Sequence, residues 1–298
     1  MLGNWIPYWR LRLRSIGISD SSKSPNPLRV NALNIIVCFK QVLDPDIPAR
    51  DFKVGEAAKR VVPPPNVSPV INNFDEYAIE AAVQLKETLG GSITVLTVGG
   101  DGPMDNIKKA LAMGCDEAVL LSDPSFEGSD AFGSAQILAS AIRKIENYVL
   151  ILFGRVSSDW SSGATGLAVA ENLGLPAVTL VQKIEPGEGS LRVERVIADG
   201  SAAYDVSLPC VLTISNEINE PRLPTVPGIL KASRKEVPTW SAADLDLPPG
   251  GFGDGGSGED LLRLYIPQHE SQCQIVEGDS LEEAAENLAL LLRERKLI

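Results

Sequence analysis

The sequence predicts an α/β chain: a doubly wound, mostly parallel sheet with helices on both faces, followed by an extended C-terminal arm and a terminal helix. Three observations carry this. Short apolar runs rich in β-branched residues alternate with stretches whose apolar residues keep the helical period. Glycine corners at Gly90-Gly91, at Gly99–Gly102 and at Gly114 separate them. The units repeat as strand, helix, strand, and that order requires parallel pairing with crossover helices.

Asn34–Phe39 is the first buried strand, and a proline-rich excursion runs from it to about Ile71. Phe74, Tyr77, Ala78, Ala81, Ala82, Leu85 and Leu89 then recur at helical spacing, with Asn73 placed to cap. Ile93–Val98 is the second strand. Gly99–Pro103 opens a helix carrying Met104, Ile107, Ala110 and Leu111, which Gly114 ends. Ala118–Leu121, a helix over Ala131–Ile145, and Val149–Phe153 follow. Gly154–Ala164 is a loop, Thr165–Leu173 a helix, Ala177–Val181 the fifth strand, and Cys210–Ile214 a further buried strand.

The 298 residues can bury a large core, as one domain with appendages or as two. Apolar and charged contents of 44% and 22% are ordinary for a globular protein. A formal charge of −12 argues against nucleic acid or an anionic membrane surface as partner. No apolar stretch reaches the ~20 residues of a spanning helix, so stable membrane insertion is not expected. Cys38, Cys115, Cys210 and Cys273 are widely spaced without a CxxC pair, which suits reduced thiols and no metal site.

Residues 1–33 form a separate N-terminal extension, with Arg10, Arg12 and Arg14 and then a Ser/Pro-rich stretch. Disorder is favoured over a mitochondrial-type presequence. A bacterial-type cytoplasmic location is expected, with the mitochondrial matrix as the alternative. Residues 34–235 form the α/β domain, and 236–298 a C-terminal arm with a Gly/Pro linker (Leu247–Gly258) and a helix. In that helix Ser280 and Glu283 make a capping box, and Leu281, Ala284, Ala285, Leu288, Leu291 and Leu292 form one stripe.

In doubly wound sheets ligands sit beyond the carboxyl ends of the strands. Three loops qualify: Cys38–Gln41, Gly99–Gly102, and Gly154–Gly166, the last crowded with small and hydroxyl residues ahead of a helix and suited to a phosphate. No GxxxxGK[ST] occurs, and the GxGxxG match at Gly251–Gly256 neither follows a strand nor opens a helix. The single histidine, His269, lies in the polar tail, and GxSxG and HExxH are lacking. The chain therefore shows no catalytic constellation, and a binder or carrier fits better than an enzyme. Pro221, Pro224 and Pro227 hold residues 216–235 extended, with Arg222 as the polar anchor of an arm expected to dock on a partner.

Four stretches carry a resemblance to a known family. They are Val37-Cys38-Phe39-Lys40-Gln41-Val42, Asn72–Glu87, Ala110-Leu111-Ala112-Met113-Gly114-Cys115-Asp116, and Asn219-Glu220-Pro221-Arg222 with its following proline turn and Lys231-Ala232-Ser233-Arg234-Lys235. Residues 34–235 resemble the beta (small) subunit of electron transfer flavoproteins, and the likeness continues into the tail. The resemblance implies a Rossmann-like, adenine-nucleotide-binding domain holding AMP or a second FAD. It also implies an alpha subunit whose FAD carries electrons between dehydrogenases and a quinone reductase or other acceptor. The implied nucleotide contacts are Cys38, Asn72, Asn73, Phe74, Asp75, Gly100, Gly154, Arg155, Ser158, Asp159, Ser162, Gly163 and Thr165. The implied partner contacts are Ser201, Asn219, Glu220, Pro221 and Arg222. Two loops depart from the family pattern. Trp160, Gly163 and Ala164 replace polar residues beside Asp159, and Ser201 and Ala202 stand where the partner loop has Leu-Glu. A stand-alone adenine-nucleotide-binding regulator and an adenine-nucleotide hydrolase are the alternatives.

Overall fold

The computed structural model describes residues 33–65, 67–100, 102–267 and 273–298. The predicted extension up to residue 32 therefore lies outside the described residues, as do Asp101 and His269. As far as described, residues 33–47 and 67–260 make one compact unit, and 48–65 with 261–298 make a second.

The strands are β1 (Leu33–Cys38), β2 (Gln41–Val42), β3 (Lys53–Gly55), β4 (Arg60–Val62), β5 (Val70–Ile71), β6 (Gly91–Val98), β7 (Glu117–Leu121), β8 (Leu150–Gly154), β9 (Ala177–Pro186), β10 (Ser190–Ile197), β11 (Gly200–Ser207), β12 (Cys210–Ile214) and β13 (Thr239–Trp240). The helices are α1 (Asn73–Leu89), α2 (Met104–Met113), α3 (Ala131–Lys144), α4 (Thr165–Leu173), α5 (Val226–Ser233) and α6 (Leu281–Glu294).

Nine strands form the central sheet, in the order β11-β10-β9-β12-β8-β1-β6-β7-β13. Pairing is parallel from β9 through β13 and antiparallel across β9, β10 and β11. The period-2 alternation of the strands divides the core into two layers. Leu33, Ile35 and Val37 of β1 pack on one face with residues of α1 and α2, while Ile36 and Cys38 pack on the other with residues of α3 and α4. Both faces are covered, and the buried strands accordingly read as continuous apolar runs. At the α1–β6 corner, Gly90 (φ 75°) ends the helix and Gly91 (φ 113°) follows. A Cβ on Gly91 would sit 2.0 Å from the Leu33 carbonyl oxygen, so only glycine allows β6 to lie against β1 there.

Three local differences from the sequence expectation stand out. The cap of α1 is Asn72, not Asn73, and the Asn72 side chain makes no capping bond because it is engaged elsewhere. The strand expected at Ala177–Val181 runs on to Pro186 and leads into a hairpin, β10–β11, that periodicity did not single out. Residues 226–233 of the stretch expected to run extended form α5 instead, with Pro227 in its first turn and Thr225 Oγ1 accepting from Gly228 N (3.1 Å), and the chain after it returns to the sheet. β13 pairs with Leu120 and Leu121, and Lys144 lies 4.3 Å from the Trp240 ring.

Residues 247–258, expected as a flexible linker, are instead pinned to the first unit. Phe252 packs edge-on to Phe126 at 5.8 Å, Gly253 N donates to Ser129 Oγ (2.8 Å), and Asp254 N donates to the Glu127 carbonyl (3.1 Å). These are long-range contacts that local composition cannot reveal.

In the second unit β3 and β4 form an antiparallel ladder, and α6 starts as predicted, with Ser280 Oγ accepting from Glu283 N (3.2 Å). The Glu283 carboxylate accepts from Asp279 N (2.8 Å) rather than closing the box on Ser280. No residue described there is buried: Leu281 is 87% exposed and Leu290 64%.

Candidate functional site

β1 and β8 lie side by side and parallel, and from them the chain proceeds in opposite directions across the sheet, to β6 and β7 on one flank and to β12 and β9 on the other. A crevice opens beyond the carboxyl ends of two strands so arranged. The loop after β1 (Phe39–Gln41) and the loop after β8 (Gly154–Ala164) are its walls.

The first turn of α1 ties these walls together. Asn72 N donates to the Lys40 carbonyl (2.9 Å). The buried Asn72 side chain donates to the Val156 carbonyl (2.8 Å) and accepts from Ser158 N (3.0 Å). Asp75, also buried, accepts from Lys40 N (2.7 Å) with one oxygen and from Gly154 N (2.9 Å) with the other. A Cβ on Gly154 would fall 2.5 Å from the Asp75 carboxylate and 2.6 Å from the Phe74 carbonyl carbon, so the close approach demands glycine. Burial pushes the Asp75 carboxyl up to about 7 against the opposing pull of the Lys40 and Gly154 amides, Asn72 and the Lys40 charge. Burial, with Asp75 beside it, also raises the Cys38 thiol well above its ordinary value, which keeps it neutral.

Further out, Lys40 Nζ and Asp159 pair at 2.6 Å, joining one wall to the other. Burial works against the Asp159 charge, but the hydrogen bonds from Lys40 and Ser157 outweigh it and hold the carboxyl below its usual range. The Arg155 guanidinium lies 5.3 Å from the Phe74 ring centroid, and its Nη1 donates to Asn216 Oδ1 (3.3 Å). Arg155 Nε and Ser158 Oγ are buried without a hydrogen-bond partner. Orphaned buried polar atoms carry a desolvation cost that a bound polar group would relieve.

Of the expected nucleotide contacts, Cys38, Asn72, Asn73, Phe74, Asp75, Gly154, Arg155, Ser158 and Asp159 gather at the β1/β8 end. Asn73 is exposed and its Oδ1 accepts from Phe74 N (3.0 Å). Ser162, Gly163 and Thr165 lie farther along, where α4 begins. Its cap is Ala164, so no side chain satisfies the first amides of that helix, and Thr165 is its first residue rather than its cap. Gly100 is exposed beyond β6, the neighbour of β1. Lys40 was not among the expected contacts; its place directly after the first strand is the signal that could have found it.

The expected partner contacts fall elsewhere. Ser201 pairs with Val196 on the exposed edge hairpin. Asn219 Nδ2 donates to the Tyr77 carbonyl (3.1 Å), Glu220 is exposed and Pro221 half-buried. Arg222, expected as the polar anchor of an arm docking on a partner, is taken by its own chain: Nε and Nη2 reach Glu80 (2.8 and 3.0 Å), and Nη1 reaches Glu87 (2.6 Å). The NEPR segment is therefore fastened to α1. α5 beyond it rests on α2 at Gly228, where a Cβ would lie 2.5 Å from the Ala112 carbonyl oxygen. Leu223, Val226, Ile229 and Leu230 face outward from that segment, 51–85% exposed. No helix among the described residues is long and apolar enough to cross a membrane.

Comparison with known proteins points to one family. Residues 66–245 match the family model described as the electron transfer flavoprotein domain. The chain is similar to the caffeyl-CoA reductase-Etf complex subunit CarD of Acetobacterium woodii, 33% identical over 267 residues, covering 89% of this chain and 100% of that one. The electron transfer flavoprotein subunit beta of Thermoanaerobacterium thermosaccharolyticum is 34% identical with the same coverage. That of Bacillus subtilis is 36% identical over 233 residues, 77% of this chain and 88% of the relative.

Proposed function

This chain belongs to the electron transfer flavoprotein family, among its beta subunits, and we propose that it is the small subunit of a heterodimer that holds AMP or FAD in a Rossmann-like crevice beyond β1 and β8. Its alpha-subunit partner carries the FAD that passes electrons from dehydrogenases to a quinone reductase or another acceptor. A cytoplasmic, bacterial-type setting belongs to the same proposal. The observation that carries the nucleotide assignment is the pair of orphaned buried atoms, Arg155 Nε and Ser158 Oγ, in the wall of the crevice. Arg155 suits a phosphate, and the uncapped first turn of α4 offers further N–H donors. The FAD supplies the redox chemistry; this chain binds, orients and shields.

Calorimetry with AMP, ADP and FAD, on the chain alone and in the heterodimer, tests the assignment. Arg155→Ala should weaken binding by about 2 kcal/mol through loss of charge-assisted hydrogen bonds. No binding of any of the three in either form would sink it. Nucleotide binding without a complex after co-expression with the alpha subunit would instead favour a stand-alone regulator.

The second unit supplies the docking surface in this proposal, because its apolar stripe on α6 is only partly covered, Leu281 being 87% and Leu288 45% exposed. A stop after Asp260 should abolish the complex while leaving the first unit folded. Retention of a tight, FAD-loaded complex by the truncated chain would refute the docking role.

A further inference from the structure

We infer that Asp159 is a specificity-determining residue of the crevice: by pairing with Lys40 across the mouth it withholds that cation from phosphate, so the site takes AMP or FAD and discriminates against ADP and ATP. The inference rests on the nucleotide assignment of that crevice and deepens it, naming the phosphate charge that the site accepts.

The pair is held in place from both walls. Lys40 follows β1 directly, with its N–H on Asp75 (2.7 Å) and its carbonyl on Asn72 N (2.9 Å), so its side chain reaches across from a fixed backbone. In the opposite wall Asp159 Oδ1 accepts from Trp160 N (2.8 Å) and Oδ2 accepts from Lys40 Nζ (2.6 Å). The residue before it is tied down as well, since Ser158 N donates to Asn72 Oδ1 (3.0 Å). Both charged side chains stay partly open to solvent, which puts the pair at the mouth rather than the floor. The orphaned atoms Arg155 Nε and Ser158 Oγ belong to the same loop, and Ser158 is the immediate neighbour of Asp159. A phosphate that satisfies Ser158 Oγ therefore lies close to the Asp159 carboxylate.

The charges around the crevice leave little attraction for a further phosphate. Lys40 is matched by Asp159, and Glu76 is taken by Lys109. Asp75 is engaged by two backbone amides. Glu217, held below the usual carboxylate range first by the Ser215 hydroxyl, also feels the Arg155 charge. Arg155 itself donates to the neutral Asn216 (3.3 Å) and keeps Nε for a ligand. The remaining donors, the Ser158 hydroxyl and the uncapped amides of α4, are neutral. AMP and the pyrophosphate of FAD each bring about two negative charges, and ADP and ATP bring more. Coulomb interactions reach about 10 Å at ordinary ionic strength, so the added charge meets the Asp159 carboxylate whichever way the extra phosphates point. A free Lys40 would favour that charge, as a phosphate-binding lysine does, and the paired one does not.

Calorimetry of the nucleotide-free chain with AMP, ADP and ATP, without magnesium, reads the preference directly. The wild type should bind AMP more tightly than ATP. Asp159→Asn keeps an acceptor for Trp160 N but releases Lys40, and should narrow the ratio of AMP to ATP affinity about tenfold, with ADP between them. Lys40→Gln leaves the carboxylate without its cation and should widen the same ratio. Movement of the ratio in opposite directions supports the inference. A ratio that stays put, or moves alike in both variants, overturns it, as does a wild type that prefers ATP. Should Asp159→Asn fail to fold, the Lys40→Gln ratio decides alone, widened in support or unchanged against. AMP binding with an unmoved ratio removes the selector and leaves the nucleotide assignment standing. Binding of none of AMP, ADP, ATP or FAD removes the assignment, and the selector with it.

Discussion

α1 carries two buried carboxylates whose surroundings push them in opposite directions. Asp75, in the first turn, is held by two backbone amides and Asn72 with no ion pair among the described residues, and burial raises it to about 7. Glu80, near mid-helix, is equally hidden from solvent. There the desolvation cost is overcome by the Arg222 guanidinium and backbone N–H and by Gln84, and the carboxyl lies below its ordinary value. Both are closed to solvent, but Asp75 lies deeper in the protein and meets the larger desolvation. A cation in a two-point geometry with additional donors separates them further. The first site is a poised group beside a crevice, and the second is a permanent fastener holding a proline-rich segment to the domain.

Removing the cation should have the largest effect. Arg222→Ala leaves Glu80 buried and unpaired, and should cost about 2–3 kcal/mol, a discounted figure because the arginine is partly exposed. A lowered urea midpoint with an unchanged slope checks it. Arg222→Lys should recover less than half of the loss, since one ammonium cannot span two carboxylates as the planar fork does.

The pH dependence of stability sharpens the contrast next. Glu80 is lowered in the fold, so its contribution is present above the ordinary carboxylate range and is lost as pH falls through its folded value. Asp75 is raised, so its contribution is fully present below its unfolded value of 3.8 and is lost as pH rises towards about 7. Thermal melts across this range should show Arg222→Ala flattening the acid limb and Asp75→Asn flattening the decline towards neutrality. Exchange of these two effects between the variants would show the assignment to be reversed.

The smallest effect is expected at the rim of the fastener. Glu87 shares the guanidinium but is exposed, so Glu87→Gln should leave the unfolding midpoint within error. A clear drop would mean that the second carboxylate, rather than Glu80, holds the segment.

Much of this architecture was legible because apolar periodicity and glycine corners are local signals. β1, β6, β7, β8 and β12 and the helices between them follow directly. The β10–β11 hairpin was missed although Leu191, Val193 and Val206 alternate towards the core, because Ser201, Ala202 and Ala203 dilute β11 with weak strand formers. β13 is two residues long and exists only because an edge of β7 is there to receive it. In the site, resemblance named Asn72 and Asp75, and the fold adds that their side chains hold backbone groups of the two loops. Whether a buried acid meets a ligand or two backbone amides depends on where residues 40 and 154 lie in space. Arg222 was recognised as an anchor for the same reason that its partner was not: the side chain announces a carboxylate, and only the fold says whose.

The β10–β11 hairpin has a consequence of another kind. It hangs at one margin of the sheet, and β9 and β12 intervene between it and the crevice-forming β8. Its tip, Ile197 to Gly200, closes on itself. Mutations there change the outer surface without disturbing the strand ends that frame the crevice. A lineage can thus change its surface at Ser201 and Ala202 while its crevice stays intact, so the two regions can drift on separate clocks.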